Sequence, residues 1–314
     1  MNFFDLHCDT IYECFTKKKE LKQNNFCVSI ENGKYFNKWV QCFAIWLNDT
    51  KLPDESFNFA LNSIDFWNKE LKKNNNVVFC KKKSDIESIT SGNIGAILTI
   101  EGMSFLSRNP SLNFSILKKL YKSGVRLMTL TWNGSGEVFD GVLSSNQRGL
   151  TVLGKCVINN ILDLGILIDL SHANDFLFYD VIEYTKGRKV LVTHSNSRKV
   201  CNNVRNLTDQ QFLLIKSFES LVGVTFHKNF LSSENRKNAN LNDVLRHVEH
   251  FLELGGEKNI SIGSDFDGSS LPEDITSILS IEKIYEAFLK RYSESLVNDI
   301  FFNNAYRFFL KNIQ

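Results

Sequence analysis

The first nine residues of the chain place three side chains that can bind a metal ion at alternate positions. Asp5, His7 and Asp9 belong to the run FFDLHCD, whose composition is typical of a β-strand. Residues two apart in a strand point to the same face. Two carboxylates and an imidazole on one face are costly to bury unless something binds them. The spacing therefore indicates a site for a divalent metal ion.

Polar side chains of the same kinds occur where other strand-like runs end. Glu101 closes the apolar part of IGAILTIEG, His172 ends LGILIDLSH, and His194 follows KVLVT. Asp265 and Asp267 lie in the last such run, ISIGSDFDG. Imidazoles and carboxylates together form an N/O ligand set that suits Zn²⁺ or a similar divalent ion.

Each of these residues also has an ordinary structural explanation. Asp9 could cap a helix, Glu101 could face water at a strand end, and the Ser-His pairs could be capped turns. However, five separate strands would then end in metal-binding residues by accident, so the joint pattern favours a site. His247 and His250 lie three apart on one predicted helix and are interpreted as structural, whereas His227 follows a strand and would face the pocket.

The elements that would position these residues are short apolar runs separated by longer segments with helical periodicity. The runs are 3–9, 40–48, 94–102, 125–133, 164–172, 189–195, 220–228 and 260–268. Strands alternating with helices indicate a parallel sheet, and eight such units predict an α/β fold, a closed (β/α)₈ TIM barrel formed by the whole chain, 1–314, as one domain. The segment 10–39 has the weakest helical pattern. In such a barrel all strand carboxyl ends meet at one rim, so the candidate ligands would converge there.

Composition excludes several other classes of protein. The formal net charge of the 314 residues is +2, which does not favour a nucleic acid or a membrane surface as partner. The 7 cysteines are an odd number without a C-x-x-C pair, which is typical of reduced thiols in the cytoplasm. No apolar run reaches the ~20 residues of a membrane span, and no signal peptide is recognised. We therefore expect a cytoplasmic protein.

Five segments taken together resemble a known family. DLHCD, IEG, DLSH, VTHS and IGSDFDG, in this order and at these separations, resemble the membrane dipeptidase (renal dipeptidase) family of zinc peptidases, and the resemblance extends to NNAYRFF near the end of the chain. The family belongs to the metal-dependent amidohydrolase-like barrels, which agrees with the fold predicted above. The resemblance implies hydrolysis of dipeptides, including those with a C-terminal D-residue, by a hydroxide that bridges two Zn²⁺ ions. It also implies a homodimer.

The resemblance also assigns roles to individual residues. His7 and Asp9 would hold one ion, His172 and His194 the other, and Glu101 would bridge the two. Asp265 would be the catalytic acid and base and would also touch the first ion. Arg205, in the segment VRNLTD, would bind the substrate.

One position departs from the family pattern. Some members have a substrate-binding His after LTLT, where this chain has Trp132 followed by Asn133. The role would be unfilled, or Asn133 or His227 would take it.

Two other interpretations stay open. A lactonase or deaminase of the amidohydrolase type is disfavoured because the H-x-H opening common in those enzymes is absent and Glu101 stands where they have a bridging Lys. A metal-binding barrel without catalytic activity gains some support from Trp132, but the complete ligand set and Asp265 argue against it.

Overall fold

Parallel strands form the centre of the fold in the computed structural model, which describes residues 1–232 and 238–313. The sheet contains β1 (Phe3–Cys8), β2 (Trp39–Trp46), β3 (Val77–Phe79), β4 (Ile94–Glu101), β5 (Val125–Thr129), β6 (Leu167–Asp169), β7 (Val190–Leu191), β8 (Val222–Val224) and β9 (Ile260–Ile262). Its order is β7-β6-β5-β4-β2-β1-β9-β8, and every paired neighbour runs parallel.

A short seam between β7 and β8 brings the two ends of the sheet together. Val192 and Val222 form a parallel bridge, in which the Val192 amide donates to the Leu221 carbonyl at 2.9 Å. The barrel therefore has eight strands, one in each of the eight predicted runs, and the TIM-barrel prediction is confirmed. The sequence did not predict β3, which has only three residues and pairs with the first half of β4.

Helices connect the strands, as the periodicity predicted. They are α1 (Thr10–Thr16), α2 (Ile30–Gly33), α3 (Pro53–Lys73), α4 (Lys83–Glu87), α5 (Pro110–Lys122), α6 (Val152–Leu164), α7 (Asp175–Thr185), α8 (Asp209–Ser217), α9 (Lys228–Leu231), α10 (Leu241–Glu253), α11 (Ile281–Leu289), α12 (Glu294–Asn298) and α13 (Asn304–Asn312). A 3₁₀ turn (Ile278–Ser280) precedes α11, and a π-helical turn (Asp299–Asn303) joins α12 to α13. The first crossover contains only the short α1 and α2, since residues 17–29 have no apolar periodicity.

The helices pack on the strands through buried apolar faces. Ala60, Ile64 and Trp67 lie on one face of α3, and the ring of Trp67 packs on Phe43 of β2 with centroids 5.5 Å apart. Burial of each such large side chain stabilises the fold by about 1.5–3 kcal/mol. None of the helices in the described ranges combines the length and the apolar content needed to cross a bilayer.

Two glycines allow the backbones to approach closely beside the seam. A β-carbon at Gly223 would lie 1.9 Å from the carbonyl oxygen of Thr193, and one at Gly263 would lie 1.7 Å from the same atom. No side chain fits in that space, so β8 and β9 can pass next to the segment that follows β7.

Candidate metal centre at the carboxyl rim

The predicted ligands do converge at one rim of the barrel. His7 lies in β1, Glu101 is the last residue of β4, and the other three follow the ends of β6, β7 and β9, namely His172, His194 and Asp265. All five side chains are buried, with residue exposures of 1–7%. Five elements far apart in the sequence thus supply one cluster.

One group of ligand atoms surrounds the His7 imidazole. Its Nε2 lies 3.2 Å from Asp9 Oδ2, 3.6 Å from Glu101 Oε2 and 3.9 Å from Asp265 Oδ1. Asp9 occupies the residue before α1 but its side chain makes no capping hydrogen bond, so it is turned toward His7 instead. We call His7, Asp9 and Asp265 the acidic arm.

A second group surrounds the two later imidazoles. His172 Nε2 lies 2.8 Å from His194 Nε2 and 2.8 Å from Glu101 Oε1, and His194 Nε2 lies 3.6 Å from the same oxygen. We call His172 and His194 the imidazole arm. Glu101 therefore presents one oxygen to each arm, which is the arrangement of a bridging carboxylate.

The loop after β9 is shaped to bring carboxylates together. Asp265 has a φ of 61°, a left-handed conformation that is strained for a residue with a side chain. A β-carbon at Gly268 would lie 2.0 Å from Asp9 Oδ2 and 2.6 Å from Asp265 Oδ1. The absence of a side chain at position 268 lets these two acidic groups share one space.

The donor atoms fit divalent cations. Asp9 Oδ1 is buried and has no hydrogen-bond partner among the described residues. His172 Nδ1 lies 2.9 Å from Asn133 Oδ1, and with the amide in this orientation Nδ1 donates and the Nε2 lone pair points into the cluster. A buried cluster of unpartnered carboxylate and imidazole lone pairs is unfavourable without a cation, and His/Asp/Glu atoms are the ones that Zn²⁺ binds.

The electrostatics of the cluster differ between its members. Burial, reinforced by the negative charge of Asp9, raises the pKa of Glu101 well above its ordinary value. Burial also raises the pKa of Asp265, to about 7, although His7 and Arg205 oppose it. Burial acts to lower the pKa of His7, but the carboxylates of Glu101 and Asp9 outweigh it and raise that pKa to about 10. The carboxylates around His7 therefore favour a positive charge in this part of the cluster.

The imidazole arm shows the opposite tendency. Burial and nearby positive charge lower the pKa values of His172 and His194 well below 6.5. Neutral imidazoles are the form that binds metal ions.

A cavity of about 320 Å³ opens on the cluster. Arg205 lines it, is 6% exposed, and directs Nη2 to within 3.0 Å of His172 Nε2. Its Nε and Nη1 atoms have no hydrogen-bond partner in the described parts of the chain. The other two predicted substrate-binding residues, Asn133 and His227, also line the cavity. Charge-assisted donors that lack a partner indicate that this end of the cavity suits an anion.

Tyr12, Trp46 and Phe230 line the cavity but were not singled out by the sequence analysis. Tyr12 and Trp46 form one aromatic wall with Trp132, in which the ring centroids of Trp46 lie 5.2 Å from Tyr12 and 5.0 Å from Trp132. Phe230 stacks on the Arg205 guanidinium at 5.3 Å. An aromatic residue near a strand end resembles core sequence, so residue type alone does not reveal such a wall.

Two acidic residues of the sequence motifs support the cluster of candidate ligands without joining it, although Asp267 also lines the cavity. Asp267 accepts hydrogen bonds from Thr10 Oγ1 at 2.5 Å and from the Cys27 amide at 2.7 Å, which ties the loop to α1 and the first crossover. Asp5 shares the inward face of β1 with His7 but does not join the cluster. It accepts hydrogen bonds from the amide and hydroxyl of Ser264 at 2.8 and 2.6 Å.

The remaining histidines have the structural role predicted for them. His247 is fully buried, accepts from the Ser197 amide at 3.1 Å through Nδ1, and donates to the Leu231 carbonyl at 3.0 Å through Nε2. His250 lies 2.8 Å from Asp209 on the outer helices. Neither lines the cavity described above.

Fold and site together define a parallel (β/α)₈ barrel with a candidate divalent-metal centre at its carboxyl rim. A model of the membrane dipeptidases (peptidase family M19) matches residues 1–314. The chain belongs to this family, as the five motifs indicated.

Individual relatives agree with this assignment. Human dipeptidase 3 is 29% identical over 245 residues, a match that includes 73% of this chain and 49% of the relative, so the chain spans about half the length of that protein. A metallopeptidase from Rhodobacter sphaeroides, solved with a phosphinate mimic of the dipeptide L-Ala-D-Ala, superimposes with a TM-score of 0.89 at 22% identity, covering 100% of this chain and 99% of that one. Another metallopeptidase, dipeptidase AC, superimposes with a TM-score of 0.89 at 24% identity, covering 100% and 98%. At these identities the superpositions support the fold.

Proposed function

We propose that this protein is a zinc-dependent dipeptidase that binds two ions. The observation that supports the proposal is the orientation of the Glu101 carboxylate. One of its oxygens faces the acidic arm and the other faces the imidazole arm. His7 and Asp9 would hold the first ion, and His172 and His194 the second. The negative charge of Glu101 between the ions would reduce their repulsion.

Bound divalent ions at such a site polarise a carbonyl and lower the pKa of water from about 16 to about 7. The protein's own residues then have separate tasks. Asp265 is placed to take a proton from water and to return it to the departing amine, first as a general base and then as a general acid. Burial raises the pKa of Asp265 to about 7 before any ion binds, so this carboxyl is able to hold a proton near neutral pH.

Arg205 would recognise the free carboxylate of a dipeptide. Its buried guanidinium has two unpartnered nitrogens beside the metal centre, and a guanidinium can bind a carboxylate through two parallel hydrogen bonds. A longer peptide would place an amide, not a carboxylate, at this position. The contact therefore favours dipeptides. The L-Ala-D-Ala mimic in the Rhodobacter relative suggests a C-terminal D-residue as one substrate class.

The aromatic wall adds a further preference. Tyr12, Trp46 and Trp132 line the same cavity as the predicted ligands and Arg205. We infer that an apolar substrate side chain lies against these rings, which would offset the absence of a substrate-binding His at position 132.

The test compares substrates with and without metal. The chelated protein is supplied with zero, one or two equivalents of Zn²⁺ and assayed with L-Ala-L-Ala, L-Ala-D-Ala, the C-terminal amide of L-Ala-D-Ala, and a lactone. We expect no turnover after chelation, full turnover with two equivalents, and a large loss for the amide. Faster hydrolysis of the lactone would favour the lactonase alternative. Two bound ions without hydrolysis of any substrate would favour a non-catalytic barrel.

A further inference from the structure

A second layer of polar residues lies beneath the imidazole arm, centred on a carboxylate that no ion could reach. Asp169, the last residue of β6, is fully buried. Its Oδ1 accepts from the amide and hydroxyl of Ser171 at 3.0 and 2.6 Å and from the Thr193 amide at 2.9 Å. Its Oδ2 accepts from the hydroxyls of Thr129 and Thr193 at 2.6 and 2.7 Å. Five donors therefore occupy both oxygens.

This carboxylate determines the direction of the next hydrogen bond. A threonine hydroxyl has one hydrogen, and an ionised carboxylate only accepts, so Thr193 donates its hydrogen to Asp169. The same Thr193 oxygen lies 2.8 Å from Nδ1 of His194 and has only lone pairs left to offer. His194 Nδ1 must therefore carry the proton. The lone pair of His194 then lies on Nε2, which faces Glu101 and the partner imidazole.

We propose that Asp169, acting through the Thr193 hydroxyl, is a positioning residue that fixes the tautomer and ring orientation of His194 before any ion binds. The inference rests on the proposed metal centre for its purpose, but the tautomer itself is a property of the metal-free protein. Outer partners of this kind typically change metal affinity about 10–100-fold when they are removed.

The contrast with the neighbouring ligand supports this assignment. His172 also has an acceptor at Nδ1, but that acceptor is the side-chain amide of Asn133, which is partly exposed and can rotate to present its NH₂ group instead. The Thr193 hydroxyl also lies 3.0 Å from Ser171 Oγ, but that hydroxyl donates its hydrogen to Asp169, and turning the Thr193 hydrogen away would remove a hydrogen bond from the buried Asp169. His194 is thus the more strictly oriented of the two.

The chain offers a closely matched pair of variants. Thr193→Val removes the hydroxyl between Asp169 and His194 at nearly constant volume. Thr129→Val removes a hydroxyl that is equally buried and donates to the same carboxylate oxygen, yet no hydrogen bond joins it to a described imidazole. Thr193→Ser restores the hydroxyl without the methyl group.

The first readout uses metal-free protein labelled with ¹⁵N-histidine at pH 8, with the His194 signals assigned by their loss in His194→Gln. Two-bond ¹⁵N–¹H spectra distinguish the two tautomers. We expect the Nδ1-protonated form in the parent protein, in Thr129→Val and in Thr193→Ser, and a mixture in Thr193→Val. An Nε2-protonated His194 in the parent protein, or an unchanged tautomer in Thr193→Val, overturns the inference whatever the activity.

The second readout is Zn²⁺ affinity, measured by competition with a chromogenic chelator. We expect Thr193→Val to weaken one of two sites about 10–100-fold, with Thr129→Val within about threefold of the parent and Thr193→Ser close to it. Equal losses in Thr129→Val and Thr193→Val would show that the network acts only through general stability, and would overturn the inference. A parent protein that binds two ions but hydrolyses no dipeptide would contradict the proposed function alone, since both readouts remain measurable.

Discussion

Two buried carboxylates support opposite sides of the candidate centre, and they do so in different ways. Asp5, beneath the acidic arm, accepts hydrogen bonds from Ser264 and from the side-chain amide of Gln41 at 2.9 Å, so it joins β1 to β2 and to the loop after β9. Asp169, beneath the imidazole arm, binds Thr193, whose hydroxyl contacts a ligand ring directly. Both are fully buried.

The two carboxylates therefore have different roles at the site: one holds the barrel together, and the other orients a ligand. Asp5 is connected to strands and backbone, so its loss should weaken the barrel. Asp169 is connected through a hydroxyl to an imidazole nitrogen, so its loss should change how the ligand presents its lone pair. The role of a carboxylate near the candidate metal centre therefore depends on what its hydrogen-bond donors contact. Its distance from the ligands does not decide that role.

The largest effect should come from the acidic arm itself. Asp265→Asn keeps the shape of the side chain but removes the group that would exchange protons, and we expect kcat to fall about 10²–10⁴-fold with zinc retained. The measurement is steady-state kinetics together with metal content. Asp267→Asn is the control in the same loop, since Asp267 binds Thr10 and Cys27 rather than the cluster. An Asp265→Asn protein that keeps most of its turnover would remove Asp265 from proton transfer.

Loss of the carboxylate beneath the acidic arm should lower the stability of the fold. Asp5→Asn replaces an acceptor that binds four side-chain and backbone donors with a group that has one acceptor oxygen. We expect the free energy of unfolding to fall by about 2–3 kcal/mol, measured by urea denaturation of metal-free protein.

The matched control for this change is Ser261→Ala. The Ser261 hydroxyl is buried on β9 but has no partner among the described residues, so its removal should cost little or be stabilising. If Asp5→Asn leaves stability unchanged and lowers Zn²⁺ affinity instead, the distinction between the two carboxylates is wrong.

The cavity beside the imidazole arm provides the next test. Arg205→Leu removes the proposed carboxylate contact, and we expect KM for dipeptides to rise about 10–100-fold, as charge-assisted hydrogen bonds contribute about 1.5–3 kcal/mol. Zinc content should stay the same. Arg198→Leu is the control, because Arg198 lies nearby in the chain but pairs with Asp175 at 2.8 Å. An unchanged KM in Arg205→Leu would assign this guanidinium another task.

The effect furthest from the cluster concerns pH and His247, which binds the loop that follows the imidazole arm. Burial lowers the pKa of His247 to about 4, whereas an unfolded histidine titrates near 6.5. Below pH 6.5 the unfolded chain gains a proton that the folded one does not, so stability falls as the pH drops from 6.5 to 4, with a slope of at most about 1.4 kcal/mol per pH unit.

This contribution is measured as the difference in slope between the parent protein and His247→Gln. Phe251→Leu, four residues further along α10, keeps the contacts of His247 with Ser197 and Leu231 and changes no titratable group, so it should retain the parent slope. Parallel pH curves for the parent and His247→Gln would show that His247 contributes nothing to acid sensitivity.

Much of this arrangement could be predicted from the sequence because strand ends in a barrel share one rim. The positions of His7, Glu101 and His194 needed only the apolar runs and the rule that parallel strands carry sites at their carboxyl ends. The strand β3 was not predicted because its apolar stretch, 77–80, is short and lies between polar segments, whereas the other short strands lie within longer apolar runs. Asp5 and Asp169 have the same residue type as a ligand, and only three-dimensional contacts distinguish a support from a ligand.

The cavity walls were harder to predict for a different reason. Tyr12 and Trp46 belong to α1 and β2, and apolar residues in such elements normally fill the core. Thr193 precedes a predicted ligand, yet the direction of its hydrogen bond depends on Asp169, which lies 24 residues earlier in the chain. Long-range hydrogen bonds of this kind leave no periodic signal.

The bare α-carbons of Gly223 and Gly263 have a consequence for attempts to re-engineer the protein. Both lie against the carbonyl oxygen of Thr193, the residue that precedes the predicted ligand His194. An alanine at either position would displace the Thr193 peptide, to which His194 is directly attached. Neither glycine lines the cavity, so a library restricted to cavity-lining codons would never sample these two positions.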